Sequence, residues 1–148
     1  MPRSVPCGVA VTLTWRGSFD DAELDQLHAE AFGTADPNEE LSWNELVRAH
    51  SLGWVVARED DLLVGFVNVP WDGRAHAFVE DTMVARAARR RGIGADLVDL
   101  ARDEASASGC RWLHVDYEEH LRPFYEDACG FAPTSAGLIA LSPPEGRA

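Results

Sequence analysis

Hydrophobic and polar positions switch between two periods along the chain, and the switches mark its elements. Residues 9–15 are rich in β-branched side chains and alternate around Thr12 and Thr14, which predicts a strand. The period then lengthens. Ser18 reads as an N-cap, Asp20, Asp21 and Glu23 fill a first turn, and Leu24, Leu27, His28 and Ala31 follow at helical spacing up to Gly33. Asp36-Pro37-Asn38 breaks the chain, and a capping box from Ser42 to Glu45 opens a short helix with Trp43, Leu46 and Val47 on its apolar side. Strands over 54–58, 62–69 and 76–84, separated by Glu59-Asp60-Asp61 and Trp71-Asp72-Gly73, predict an antiparallel meander.

Residues 92–108 carry the clearest helical pattern, with Ile93, Leu97, Leu100, Ala101 and Ala105 on one face and Gly109 as its stop. A strand over 112–116 follows at once, so a right-handed crossover makes it a parallel neighbour of the strand before the helix. Leu121, Phe124, Tyr125 and Ala128 share one face of a short helix with Pro123 in its first turn and Gly130 at its end. Residues 137–141 supply a last strand, and 142–148, with Pro143-Pro144 and Gly146, a flexible tail. The expected class is α+β: a mixed, mostly antiparallel sheet whose parallel pair meets it near 76–84.

At 148 residues, with 46% hydrophobic and 26% charged, the chain fits one domain over 1–148 with a real core. The formal charge of -12 repels phosphate backbones and anionic lipid surfaces, which argues against nucleic acid and membrane as partners. All thirteen cations are Arg, so Schiff-base chemistry and a P-loop lysine are excluded. Cys7, Cys110 and Cys129 are odd in number and far apart, and no run has the length of a membrane span or the form of an export leader. A reducing cytoplasm is the expected location.

Four of the thirteen arginines, Arg86, Arg89, Arg90 and Arg91, precede Gly92-Ile93-Gly94-Ala95 at the start of the clearest helix. A strand, a glycine turn and a helix start offer close backbone approach and unpaired N–H groups to an anion such as a pyrophosphate. Arginines add charge-assisted contacts. A dinucleotide fingerprint fails because Leu97 stands where its third glycine belongs, and a P-loop fails for want of Lys and Ser or Thr.

Arg89-Arg90-Arg91-Gly92-Ile93-Gly94 resembles the acyl-CoA loop of the GNAT superfamily of N-acyltransferases. Glu80-Asp81-Thr82-Met83-Val84 ahead of it is similar to that family's fourth strand, including the Glu-Asp pair of its polyamine acetyltransferases. Phe124-Tyr125 and Gly130-Phe131 after it match the family's aromatic pair and Gly-Phe. The resemblance covers 62–131 and weakens over 1–51. Arg86, Glu118 and Leu121 stand where the family often has Pro, Asn and Ala, so no Asn-type contact is assigned. The resemblance implies acetyl-CoA as co-substrate, with Thr82, Met83 and Val84 offering backbone groups to the pantetheine arm and Arg89 to Ala95 holding the pyrophosphate.

An alkylamine is mostly protonated at neutral pH and must lose a proton before it attacks a thioester. Glu80 is the expected general base and Asp81 the alternative, strand alternation allowing only one of them to face the site. Tyr125, at the family position, is the expected acid for the departing thiolate, against a purely structural role in the core. Backbone donors near Met83 and Val84 polarise the carbonyl, and Phe124 packs. Phe32, Trp43 and Trp71 are candidates to border the acceptor pocket. The nine acids from Asp20 to Glu45 form either a negative approach for a cationic amine or a solvated surface. His114, Asp116 and His120 make too thin a set for a metal, and none is expected. A non-catalytic acyl-CoA sensor, or a transferase using another acyl group or acceptor, is the alternative. The implied partner is a small-molecule or peptide amine. A homodimer is compatible with the family, without an interface visible in the sequence.

Overall fold

The computed structural model describes residues 10–33 and 41–142. Val9, Cys7, Asp36-Pro37-Asn38 and the tail over 143–148 lie outside the described residues.

The first strand forms as β1 (Val11–Trp15), followed by α1 (Asp21–Phe32), α2 (Trp43–His50), β2 (Ser51–Glu59) and β3 (Leu62–Pro70). β3 is buried along almost its whole length and β2 over just more than half of its own, as befits central strands covered on both faces. The 76–84 segment divides into β4 (His76–Phe78) and β5 (Glu80–Val84), and α3 (Ile93–Ala107) and β6 (Trp112–His114) complete the regular elements of the sheet layers. β1, β2, β3 and β5 pair antiparallel in that order, while β4 and β6 form a separate parallel pair. The mixed α+β architecture with its parallel pair is as the sequence predicts.

Two cores sandwich the larger sheet. Ile93, Leu97, Ala101 and Ala105 of α3 lie against the face bearing Val55 and Val67. Leu24, Leu27, Trp43 and Val47 of the first two helices lie against Val56, Phe66 and Met83 on the other. Close approach of α3 needs Gly65: a Cβ there would stand 3.1 Å from both Ala57 Cβ and Leu97 Cδ1.

The capping box of α2 forms as expected, the Ser42 N–H donating to Glu45 at 3.0 Å and the Glu45 N–H to Ser42 Oγ at 3.3 Å. That of α1 forms two residues late. Asp20, not Ser18, is the N-cap, its N–H donating to the Glu23 carboxylate at 2.9 Å, while the Ser18 carbonyl accepts from Arg58 at 3.0 Å.

Three further differences bear on function. First, the strand 76–84 changes partner midway: the Val79 N–H still donates to the His114 carbonyl at 2.8 Å, whereas Glu80 pairs with Asn68 of β3. From Asn68↔Glu80 to Phe66↔Met83, three steps on β5 match two on β3, a bulge at which Asp81 takes φ 55°. Strand alternation therefore does not run through Glu80 and Asp81, and the expectation that they face opposite sides loses its basis.

Second, the helix expected around Pro123 is a 3₁₀ turn (Glu119–Leu121) followed by a π-helical turn (Pro123–Ala128). The wide turn, closed by the Cys129 N–H on the Phe124 carbonyl at 2.9 Å, turns Tyr125 and Cys129 inward and leaves Leu121 and Ala128 exposed. Third, 137–141 is not a strand. It pairs with nothing among the described residues, and its large side chains face solvent. No helix among the described residues is long and apolar enough to cross a membrane.

Candidate active site

Among the described residues the larger sheet ends at β5, which has β3 on one side and, because the parallel pair has splayed away, an open edge on the other. The Ala85 N–H donates to the Val64 carbonyl at 2.8 Å and Met83 pairs with Phe66. Successive residues of a strand turn their backbone groups to opposite edges, so the N–H of Val84, between these two, faces the cleft. Met83, expected to serve the pantetheine, has its backbone in the ladder and its side chain in the core.

Beyond β5 a 3₁₀ turn (Arg86–Ala88) leads to Arg90 at φ 64° and Gly92 at φ 77°, the residue from which α3 starts. A left-handed N-cap has little use for a side chain, and none caps this helix. The first helical bond runs from the Asp96 N–H to the Gly92 carbonyl at 3.0 Å. The N–H groups of Ile93, Gly94 and Ala95 therefore have no acceptor among the described residues and stand at the positive end of the helix dipole. Gly94 keeps this turn close beneath Phe124, whose ring lies 3.1 Å from where a Cβ would be. The arrangement fits a diphosphate by its donors and its absence of side chains.

The arginines of this loop are not equivalent. Arg91 is drawn to Glu59, Nη1 donating to Oε2 at 2.6 Å, and Arg89 Nε donates to the Val84 carbonyl at 3.3 Å. The Arg86 N–H donates to Glu30 at 2.5 Å. For Arg90 no such bond is seen among the described residues.

Tyr125 is buried, its ring stacked on Tyr117 at 5.2 Å and edge-on to Phe124 at 4.8 Å and Phe131 at 6.0 Å. Burial raises the phenol pKa, and the neighbouring Thr82 hydroxyl of β5 opposes that rise. Thr82 Oγ1, itself buried, meets no partner at full hydrogen-bond geometry. Glu80 stays accessible to solvent, yet partial desolvation raises its carboxyl pKa, with the Asp81 and Asp116 carboxylates adding to the rise. On β3 opposite Glu80, buried Asn68 accepts from Ser51 Oγ at 2.5 Å.

Thr82 and Val84 are thus brought together with Tyr125, Phe124 and the α3 start, while Glu80 stands at the partner switch. The expected acceptor-pocket aromatics divide. Phe32 and buried Trp43 flank His28, at 5.2 and 5.3 Å between ring centres, but Trp71 packs against the core on the α3 side. Several of the acids before Glu45 have structural duties: Asp21 accepts from Asn44, Glu23 pairs with Arg58 at 2.7 Å, and Asp25 accepts from the Trp43 indole at 2.8 Å. Asp36, Glu39 and Glu40 lie outside the described residues. Burial pushes the Cys129 thiol up to about 11, a protonated filler and no nucleophile.

Sequence reasoning missed three members of this neighbourhood. Asn68 reads as one polar residue in an apolar strand, a signal that was available. Asp116 bears on Glu80, and His28 joins Phe32 to Trp43; both depend on strand pairing and helix packing that spacing does not reveal. His76 and His114 touch at 2.7 Å, but no group of three metal-ligating side chains exists among the described residues. Two shallow cavities of about 310 and 340 Å³ lie elsewhere, beside β1 and around the Arg58–Glu23 pair, and include none of the predicted site residues.

The fold has many solved counterparts. A GNAT family acetyltransferase from Streptococcus pneumoniae TIGR4 is 23% identical with a TM-score of 0.72, covering 90% of this chain and 98% of that one. A ribosomal-protein-alanine N-acetyltransferase from Brucella melitensis is 23% identical with a TM-score of 0.67, over 89% and 99%. An aminoglycoside N-acetyltransferase in complex with CoA is 19% identical with a TM-score of 0.75, over 93% and 98%. No curated protein sequence gives a significant match. The sequence pattern of the Acetyltransferase (GNAT) family matches residues 16–131, which include every strand of both sheets but β1 and every residue of the site, and the chain belongs to that family.

Proposed function

We propose that this acetyltransferase moves the acetyl group of acetyl-CoA directly to a primary amine, with Glu80 as general base and Tyr125 as general acid. The observation that carries the reading is the uncapped start of α3, three N–H groups without an acceptor among the described residues beside the edge of β5, with the Tyr125 phenol against Thr82 of the same strand. Acetyl-CoA supplies the acyl group as a thioester. Ile93, Gly94 and Ala95 donate backbone hydrogens to its diphosphate, with Arg90 the arginine free to add charge. The Val84 N–H is turned toward the thioester carbonyl and stabilises the oxyanion.

Glu80, directly or through water, takes the proton that the ammonium group must shed; its raised pKa makes it a stronger base than an ordinary glutamate. The nitrogen lone pair then forms the N–C bond as the C–S bond breaks, and Tyr125 delivers its proton to the departing sulfur. Burial keeps that phenol protonated at neutral pH. The second proton on that nitrogen passes to the Tyr125 phenolate, the amide and the free CoA thiol leave, and the proton held by Glu80 passes to solvent. The acceptor is a small-molecule or peptide amine, approaching from the side of α1 and α2, where Phe32 and Trp43 flank His28.

Release of CoA thiol from acetyl-CoA, measured with a panel of aminoglycosides, polyamines and peptide N-termini, tests the reading. Tyr125→Phe is expected to lower turnover by about 10²- to 10⁴-fold while CoA affinity hardly changes. The acidic limb of kcat/KM is expected to lie above the pH of an ordinary glutamate, with activity rising as Glu80 deprotonates, and Glu80→Gln to abolish that limb. CoA binding without thiol release from any amine means a binding module instead; unchanged turnover in Tyr125→Phe removes its role as the acid.

A further inference from the structure

We propose that His76 and His114 form an exchangeable binding site for a divalent transition-metal ion, Zn²⁺ or Ni²⁺, on the outward face of the parallel pair β4–β6. The inference does not depend on the reaction chemistry.

The pairing of distant strands makes the site. His76 opens β4 and His114 closes β6, 38 residues apart in sequence, and their side chains meet across the pair with His76 Nδ1 2.7 Å from His114 Nε2. The register sets Phe78 beside His114, and Ala77, between His76 and Phe78, is fully buried in the core on the α3 side. Alternation therefore turns His76 and Phe78 to the other face, where His114 joins them. Both imidazoles are reached by solvent. The set that spacing suggests, His114 with Asp116 and His120, is not the one that assembles, since His120 turns to Glu118 at 3.3 Å.

Neither ring is loose. Phe78 stacks on His114, with 4.9 Å between centres and 22° between planes. Asp72 holds the backbone of His76, accepting its N–H at 3.1 Å and that of Arg74 at 2.7 Å. Between the rings lies one hydrogen bond, shared by two nitrogens that are both ligands for a borderline metal.

The spacing already suits an ion. Two imidazoles sharing a tetrahedral Zn²⁺ at about 2.0–2.1 Å have nitrogens about 3.3 Å apart and ring centres about 5 Å apart. The centres of His76 and His114 stand at 5.0 Å, with planes 38° apart, so modest changes of the side-chain torsions bring both lone pairs onto one ion. The ring that donates in the free chain passes to its other tautomer by exchange with water, so the neutral pair takes up the ion without net loss of a proton. Two ligands are fewer than the three of a catalytic zinc site or the four of a structural one, so water completes the shell and the ion exchanges. A net charge of -12 draws cations to the surface. Bound there, the ion ties β4 to β6, the two strands whose departure from β5 opens the cleft.

Calorimetric titration of the full chain with zinc chloride, and separately with nickel chloride, is the test, with the imidazole C–H proton resonances followed through the zinc titration. The expected result is one ion per chain with a Kd on the order of 10–100 µM, and movement of two of the five histidine resonances. His76→Asn and His114→Asn are each expected to weaken binding by roughly tenfold or more and to delete one of the two moving resonances. His120→Asn is expected to bind as the parent does. No heat with either ion and no moving histidine resonance overturns the proposal. So does binding that survives in both variants, which places the ion elsewhere in the chain. If a variant fails to fold, the parent spectrum decides: a nuclear Overhauser contact between the two moving imidazoles, and from one of them to a phenylalanine ring, supports the site, and moving resonances without those contacts overturn it.

Discussion

β3 and the segment 137–141 are both runs of small and branched apolar residues, and they end in opposite environments. Phe66, Val67 and Val69 of β3 are fully buried, with strands on both edges and helices over both faces. Leu138, Ile139 and Leu141 are largely exposed to solvent. The difference lies in topology. A strand-like run gains from burial only when the chain brings an edge and a face to it, and among the described residues the second run has neither.

Three substitutions sharpen or break that contrast. Phe66→Ala removes the ring that packs edge-on against Phe19 and Trp43, and is expected to cost about 3–5 kcal/mol of unfolding free energy in urea. A value near zero makes β3 as idle as 137–141. Gly53→Ala sets a Cβ 2.1 Å from the Trp15 ring at the β1–β2 contact, and the displaced ring is expected to cost about 1–3 kcal/mol, read as a fall in Tm. Leu138→Ala, measured in urea, is expected to stay within about 0.5 kcal/mol of the parent. A larger loss there means that 137–141 is packed.

The contrast also explains which parts of the molecule were legible beforehand. The period of α3, the Ser42–Glu45 capping box and the glycines before α3 each follow from local chemistry, so residue spacing reveals them. Tyr125 was recognised by family position, but the π-helical turn that buries it with Cys129 depends on packing against β5, and a regular 3.6-residue period put Ala128 in that place instead. Arg91 reads as a phosphate ligand among its neighbours, and its pairing with Glu59, 32 residues away in sequence, is invisible to local spacing. The Glu80–Asp81 pair was visible as a pair of acids. What each faces was not, because one extra residue in β5 breaks the alternation on which the choice between them rested.

By itself the sequence determined the order and kind of most elements, the absence of lysine chemistry, and the glycine start of α3, since each depends on residues within a few positions of one another. Only the tertiary structure decided where the strand from His76 to Val84 changes partner, which backbone hydrogens in the cleft it opens lack an acceptor among the described residues, and that 137–141 pairs with no described strand of its own sheet. Those outcomes are set by pairing between distant segments, where the free energy of one edge depends on what every other strand has already claimed.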